Sequence, residues 1–374
     1  RAGGPRPSRY VRVTVPAPPP LRGARVLVTG AFGFVGGHLT RRLVEEGAIV
    51  TALDCDTQMS RPCLVNLVPE LRERVVVANG DVTDSGFLDG LLAQVRFDWI
   101  FHFASSAAVI QRAHAAPLAS VESNAMGVVH LLDALRRRGH RDVTIVHASS
   151  DKVYGDAGGE PYSEEHSPLN GEGIYEVGKI AADLFARRLA RSCRARVVVA
   201  RMCNLFGPCD VDALDYRIVP RTMAALFARP RRRPQVYGHA RQHRRDYLYV
   251  EDAVRALLLL AARTASDEAM SGHAYNLAGI ANLSTEEICV AAIEAAAVVS
   301  ERRGASALGR AIRRDGFEVT AVPVDAGREI AVQRCNGERL RMATGFQPVV
   351  PMADGLRLTA EFYRGFLKDG NPVA

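Results

Sequence analysis

Residues Ala24 to Gly37 read ARVLVTGAFGFVGG, an apolar run followed by glycines at 30, 33 and 36 and then by the helix-forming stretch Leu39-Thr40-Arg41-Arg42-Leu43-Val44. Glycines at these places allow a tight turn, close approach of backbone to a pyrophosphate and close packing of helix on strand, and the helix N-terminus then faces the phosphates. The cofactor-contacting residues of this turn are Gly30, Phe32, Gly33, Phe34, Val35 and Gly36. A glycine triplet is weak evidence by itself, but here the strand, turn and helix stand in the required order. A second strand, Ala48 to Leu53, ends at Asp54, 24 residues after Gly30. An acid there accepts ribose hydroxyls and repels a 2′-phosphate, which favours NAD over NADP; Arg61 nearby is the counter-signal.

The same alternation continues outward. Arg74 to Ala78 reads as a third strand with Asp81 and Val82 at its end, where an Asp side chain meets the adenine. Trp99 to Ala104 reads as a fourth. It delivers Phe103 and Ala104, and the small residues from Ala104 to Ala108 let backbone pass close to the cofactor. His102, among apolar neighbours, reads as a core histidine. Leu118 to Arg138 is a long helix in which Asn124 has a structural reading. Val143 to His147 has the β-branched density of a buried parallel strand, and Arg196 to Arg201 follows as a sixth, leading to Asn204 on the same edge. The pattern predicts an α/β fold, a doubly wound parallel sheet forming a Rossmann-type NAD-binding domain, with a smaller C-terminal α/β substrate-binding domain. The expected boundaries are a flexible N-terminal extension at 1–21 and a cofactor domain at 22–206 with a return segment near 243–263. The substrate domain takes 207–242 and 264–374.

Composition sets limits on function. The chain has 374 residues, 48% hydrophobic and 24% charged, which suits a globular protein with a full core. No apolar run approaches the roughly 18 residues of a membrane span. Seven scattered cysteines form no C-x-x-C pair, which argues against a disulfide framework or a zinc site and for a cytoplasmic setting without a metal. The net charge of +7 and the run Arg229-Pro-Arg-Arg-Arg-Pro234 lack the aromatic interleaving of a nucleic-acid surface and read as an exposed loop. Only three of the 48 basic residues are lysine: Lys152, Lys179 and Lys368. Lysine, unlike arginine, gives up its proton when its surroundings change.

Two of those lysines fall within the stretch Ser149 to Lys179. A strand end delivers Ser150, Asp151 and Lys152; a helical segment from Tyr175 to Arg191 puts Tyr175 and Lys179 on one face. A cation beside a phenol favours phenolate, so such a Tyr can take a proton from a hydroxyl. Tyr-x-x-x-Lys pairs also arise on solvated helices, and the surrounding motifs have to decide.

With these motifs in hand the chain resembles the extended short-chain dehydrogenase/reductase family of nucleotide-sugar epimerases and dehydratases. The resemblance rests on Thr29 to Gly36, Ser149-Ser150-Asp151-Lys152-Val153-Tyr154-Gly155, Tyr175-Glu176-Val177-Gly178-Lys179, Asn204-Leu205-Phe206-Gly207-Pro208, Arg245 to Asp252 and Thr344 to Pro348. It implies NAD that is reduced and reoxidised within a turnover, and a homodimer built on the two helices at about 118–138 and 175–191. Tyr175 would deprotonate the sugar 4-hydroxyl, Lys179 would hold the nicotinamide ribose and lower the Tyr175 pKa, and Ser150 would bond the same hydroxyl. Asn204 and Arg245, with Arg217 assisting, would hold the nucleotide diphosphate. The Ser-Asp-Lys triplet is closest to CDP-glucose 4,6-dehydratase-like enzymes: Asp151 as acid and Lys152 as base would remove water across C5 and C6 of a nucleotide-diphosphate sugar. The Val153-Tyr154-Gly155 continuation is uncommon in those enzymes and Gly178 replaces a usual serine, so the nucleotide base stays open. The alternatives are a 4-epimerase or another 4-keto-dependent activity and, from another class, a non-catalytic NAD-binding regulator, against which the intact Ser150, Tyr175 and Lys179 weigh.

Overall fold

Seven parallel strands build the centre of the computed structural model, which describes residues 21–58, 62–105, 115–321 and 329–368. They are β1 (Arg25–Thr29), β2 (Ile49–Asp54), β3 (Val76–Asn79), β4 (Trp99–His102), β5 (Thr144–Ser150), β6 (Arg196–Met202) and β10 (Ala274–Leu277), in the order β10-β6-β5-β4-β1-β2-β3. Helices cover both faces, so alternate residues of each strand enter different cores. Val26 and Val28 pack with Ala253 and Leu257 on one side, while Leu27 packs with Val128, Leu131 and Ala182 on the other. Chain order reverses between β1 and β4, and sheets of this kind bind ligands at the carboxyl ends of the strands flanking such a reversal. The doubly wound parallel sheet expected from the sequence is present.

The smaller elements sit beyond that carboxyl edge. β7 (Asn204–Phe206) runs parallel to β9 (Arg244–Tyr249), which pairs antiparallel with β11 (Ala281–Ser284); β8 (Gln235–Tyr237) and β12 (Glu318–Thr320) form a separate two-stranded parallel ribbon. A core of Met223, Ile288, Ala292 and Tyr363 holds this region together. The segment near 243–263 thus contributes β9 to the small sheet. The helix Val250–Ser266 then returns to the core beside the large sheet, whose seventh strand comes later still at Ala274–Leu277.

Two local features differ from the sequence expectation. The helix expected over 118–138 is an α-turn at Pro117–Val121, a π-helical turn at Glu122–Met126 and an α-helix at Gly127–Arg137. Asn124 lies buried in the π turn, bonded to Ser120 Oγ at 3.1 Å and to Ser105. Leu21, the last residue of the expected extension, is buried in the main core; residues 1–20 lie outside the described residues. Among the described residues no helix is long and apolar enough to cross a membrane.

Candidate active site

The cofactor cradle follows from β1. Gly30 turns the chain with φ +71°, and a Cβ there would stand 2.8 Å from the Phe103 carbonyl carbon at the end of β4. A Cβ on Gly36 would stand 2.0 Å from the Gly30 carbonyl oxygen, so no other residue permits the turn to close. Gly33 then caps the helix α1 (Phe34–Glu45), leaving its first N–H groups aimed at the carboxyl edge. Asp54 ends β2, buried, with one carboxylate oxygen accepting the Phe32 N–H at 3.1 Å. Asp81 is exposed and spends one oxygen on Thr83, at 2.9 Å from both its N–H and its hydroxyl, while Val82 is buried beside it. Phe103 and Ala104 are pinned to β1 through the Thr29 carbonyl at 3.0 Å and the Thr29 hydroxyl at 3.2 Å. Ala107, Ala108 and Arg61 lie outside the described residues. Glycines that a Cβ would block, a helix N-terminus and a strand-end acid together fit a dinucleotide.

The candidate reacting groups converge at the end of β5, the fifth strand in chain order. Ser150 is its last residue and caps a 3-10 turn, Asp151–Tyr154: its hydroxyl accepts the Lys152 N–H and donates to Asp151 Oδ1, both at 3.2 Å. Asp151 is buried with Oδ2 unpartnered, and burial pushes its carboxyl up to about 6 although Lys152, Arg245 and Ser150 pull the other way. Burial lowers Lys152 from the ordinary lysine value, with Asp151, Glu176 and Glu329 opposing. Tyr175 and Lys179 sit one turn apart on the next helix (Ile174–Cys193), both buried. The Lys179 ammonium donates to the Ala148 carbonyl of β5 at 3.3 Å, and burial brings it down to about 8. Burial holds the Tyr175 phenol up at about 12. The groups that favour its phenolate are Arg217 and Ser150. Arg217 leads the groups that oppose burial at this phenol.

Arg217 and Arg245 reach this site from the smaller region. Arg217 is held by Asp210 at 3.1 Å and its guanidinium lies 5.9 Å from the Phe34 ring centroid, so it spans from the cofactor turn to Tyr175. Arg245 donates to the carbonyls of Arg244 at 2.9 Å and Ala331 at 3.3 Å, stands 3.6 Å from Glu329, and biases both Asp151 and Lys152. Asn204 opens β7 and pairs in register with Tyr247.

The sequence matches the NAD dependent epimerase/dehydratase family over residues 26–278, well over half of the chain. The chain belongs to this family. As a member of the NAD dependent epimerase/dehydratase family it uses NAD as its cofactor. It is 32% identical to a dTDP-glucose 4,6-dehydratase of Streptomyces niveus over 91% of this chain and 93% of that protein. It is 30% identical to a UDP-glucose 4-epimerase of Mycolicibacterium smegmatis over 91% and 98%. The solved dTDP-glucose 4,6-dehydratase of Streptomyces venezuelae with NAD bound superposes with a TM-score of 0.73 at 26% identity, covering 91% of this chain and 97% of that one. This enzyme family member therefore works on nucleotide sugars by epimerase or dehydratase chemistry.

Sequence reasoning gave Arg245 a role toward the diphosphate alone and assigned none to Asp246 or Glu176. The action of Arg245 and Asp246 on Asp151 depends on β9 of the small sheet bringing them within electrostatic reach of the turn after β5, which no local pattern announces. Glu176, next to Tyr175, is buried with Oε2 unpartnered, its side chain filling the space over Gly171 and Gly173. Its only sequence signal was its place inside the Tyr-x-x-x-Lys spacing.

Proposed function

We propose that the protein is an NAD-dependent nucleotide-sugar 4,6-dehydratase, converting an NDP-hexose to an NDP-4-keto-6-deoxyhexose and water. The observation that carries this reading is the adjacent pair at the end of β5: a buried carboxyl raised to about 6 beside a half-buried amine lowered from its usual value. Both shifts move toward the forms elimination needs, a protonated acid and a free base. A 4-epimerase has no use for such a pair.

NAD, held by the glycine turn before α1 with Lys179 at its nicotinamide ribose, would supply hydride acceptance at C4 and hydride donation at C6. The protein's residues handle the protons. Tyr175, with Ser150 bonded to the same oxygen, takes the 4-hydroxyl proton, and Lys179 steadies the nicotinamide ribose. The ketone acidifies the C5 hydrogen; Lys152 removes that proton as the C5–C6 double bond forms. Asp151 gives its proton to the C6 hydroxyl, which leaves as water. Hydride would then return to C6 while Lys152 gives its proton back to C5, and the proton taken from the 4-hydroxyl by Tyr175 replaces the one Asp151 gave to water, so the three groups are restored. Asn204, Arg217 and Arg245 line the approach from the smaller region, where guanidinium groups suit a diphosphate; the region at 207–242 and 264–374 is accordingly the proposed substrate-binding part.

The test is incubation with NAD and a panel of dTDP-glucose, CDP-glucose, UDP-glucose and GDP-mannose, followed by the mass of the products. Loss of one water supports the dehydratase. An unchanged mass with altered retention gives the 4-epimerase, the second reading, which the similarity to the M. smegmatis UDP-glucose 4-epimerase favours. No turnover on any sugar points to a regulator.

A further inference from the structure

The turn that carries Asp151 and Lys152 ends on Tyr154, which takes no part in the proton transfers yet is almost wholly buried, at 2% exposure. Its ring lies between the Arg201 guanidinium, 4.9 Å from the ring centroid, and the stacked Tyr162 ring at 4.7 Å. Its hydroxyl donates to Asn276 Oδ1 and accepts from Arg201 Nη1, each at 2.7 Å. Arg201 is itself buried and forks onto Asp183 at 2.8 and 3.0 Å. Asp183 stands one helical turn beyond Lys179 on the same helix. From the other side the Tyr162 hydroxyl donates to the Gly155 carbonyl at 2.6 Å, closing the end of the turn.

A continuous buried chain therefore runs from the helix of Tyr175 and Lys179 through Asp183 and Arg201 to Tyr154, two residues from Lys152. We propose that Tyr154 and Arg201 are positioning residues that set Asp151 and Lys152 against Tyr175 and Lys179, so that loss of water depends on them and oxidation at C4 does not. This rests on the dehydratase reading. The asymmetry follows from how each half is held. Ser150 belongs to a strand paired with β6, and Lys179 bonds directly to β5. Asp151 and Lys152 lie past the end of that ladder, on a turn whose far end Tyr154 fixes. A displacement on the order of 1 Å in a reacting group costs about a hundredfold in rate, whereas a network that merely supported the fold would slow every step together.

The experiment uses the full-length, NAD-loaded protein with dTDP-glucose, or whichever sugar of the panel the wild type dehydrates. Absorbance of reduced nicotinamide in a single turnover reports C4 oxidation, and product mass reports water loss. Tyr154→Phe keeps the ring and its stacking but removes the hydroxyl. The expected result is oxidation within about twofold of wild type and dehydration slowed about tenfold or more, so that reduced cofactor accumulates. Equal loss of both rates, or loss of neither, overturns the proposal. Should Tyr154→Phe not fold, Tyr162→Phe frees the Gly155 end of the same turn, and the same split is expected of it. Failure of the wild type to dehydrate any sugar refutes the dehydratase reading, and the inference with it, before a variant is compared.

Discussion

At Asp151 the protein accepts an electrostatic cost that it could have avoided. A carboxyl beside a lysine and an arginine would ordinarily be held low, yet burial outweighs both partners and lifts it to about 6. Lys152 moves the opposite way for the same reason. The working form carries one proton on the pair, with Asp151 protonated and Lys152 free. Between the two values the pair carries that single proton; below the lower value both groups are protonated, and above the higher both are bare. The dehydration rate is therefore bell-shaped in pH, and one limb falls near 6. In Asp151→Asn the limb near 6 disappears and water loss drops by about a hundredfold or more, measured by single-turnover product mass from pH 5 to pH 9. Lys152→Ala abolishes dehydration while equilibrium dialysis still finds NAD bound; full activity in that variant removes the base from the mechanism. The sequence names these residues, because a strand end followed by Asp-Lys is a local pattern. Their ionisation was not legible, since it is set by burial and by Arg245 and Asp246, which arrive on a distant strand.

Among the elements, legibility follows the length of the pattern. The six strands from β1 to β6 are apolar runs punctuated by glycine and acid, and each of the expected ranges overlaps an observed strand. The π turn at Glu122–Met126 was invisible because it keeps the composition of its helix and changes only its winding. β7, three residues long, is too short to show a period, although the Asn204 turn chemistry placed that residue correctly on the carboxyl edge. Two elements carry testable energetics. Asp183→Ala leaves the Arg201 guanidinium buried without its carboxylate, at a cost of about 3–5 kcal/mol, read from the urea midpoint; a change below about 1 kcal/mol would mean the pair is solvated. Gly36→Ala forces a Cβ to within 2.0 Å of the Gly30 carbonyl oxygen, so the cofactor turn opens. Its NAD affinity falls by more than about tenfold, or about 1.4 kcal/mol, in a titration followed by fluorescence.

At the scale of the whole molecule, an apolar surface on two adjacent helical segments stands outside the cores. On the segment before the π turn Leu118 is 70% exposed and Val121 is exposed beside it, and Met126 is exposed at the end of the π turn; on the helix of Tyr175, Val177 is 51% exposed, with Leu184 and Phe185 exposed on following turns. Leu184 and Phe185 lie seven and eight positions after Val177, hence on its face, and that helix packs beside the π turn. Large apolar side chains gathered on adjacent helices of a water-exposed surface mark an association site. A second copy of this chain is the proposed occupant, because paired helices related by a twofold axis present the same apolar face to each other. The arrangement would also brace the helix that holds Tyr175 and Lys179, coupling assembly to catalysis. Sedimentation is expected to give twice the 40.6 kDa chain mass. The double variant Leu184→Asp with Phe185→Asp is expected to sediment as a monomer with reduced C4 oxidation; a wild-type monomer, or a dimer unaffected by both substitutions, would place the interface elsewhere or remove it.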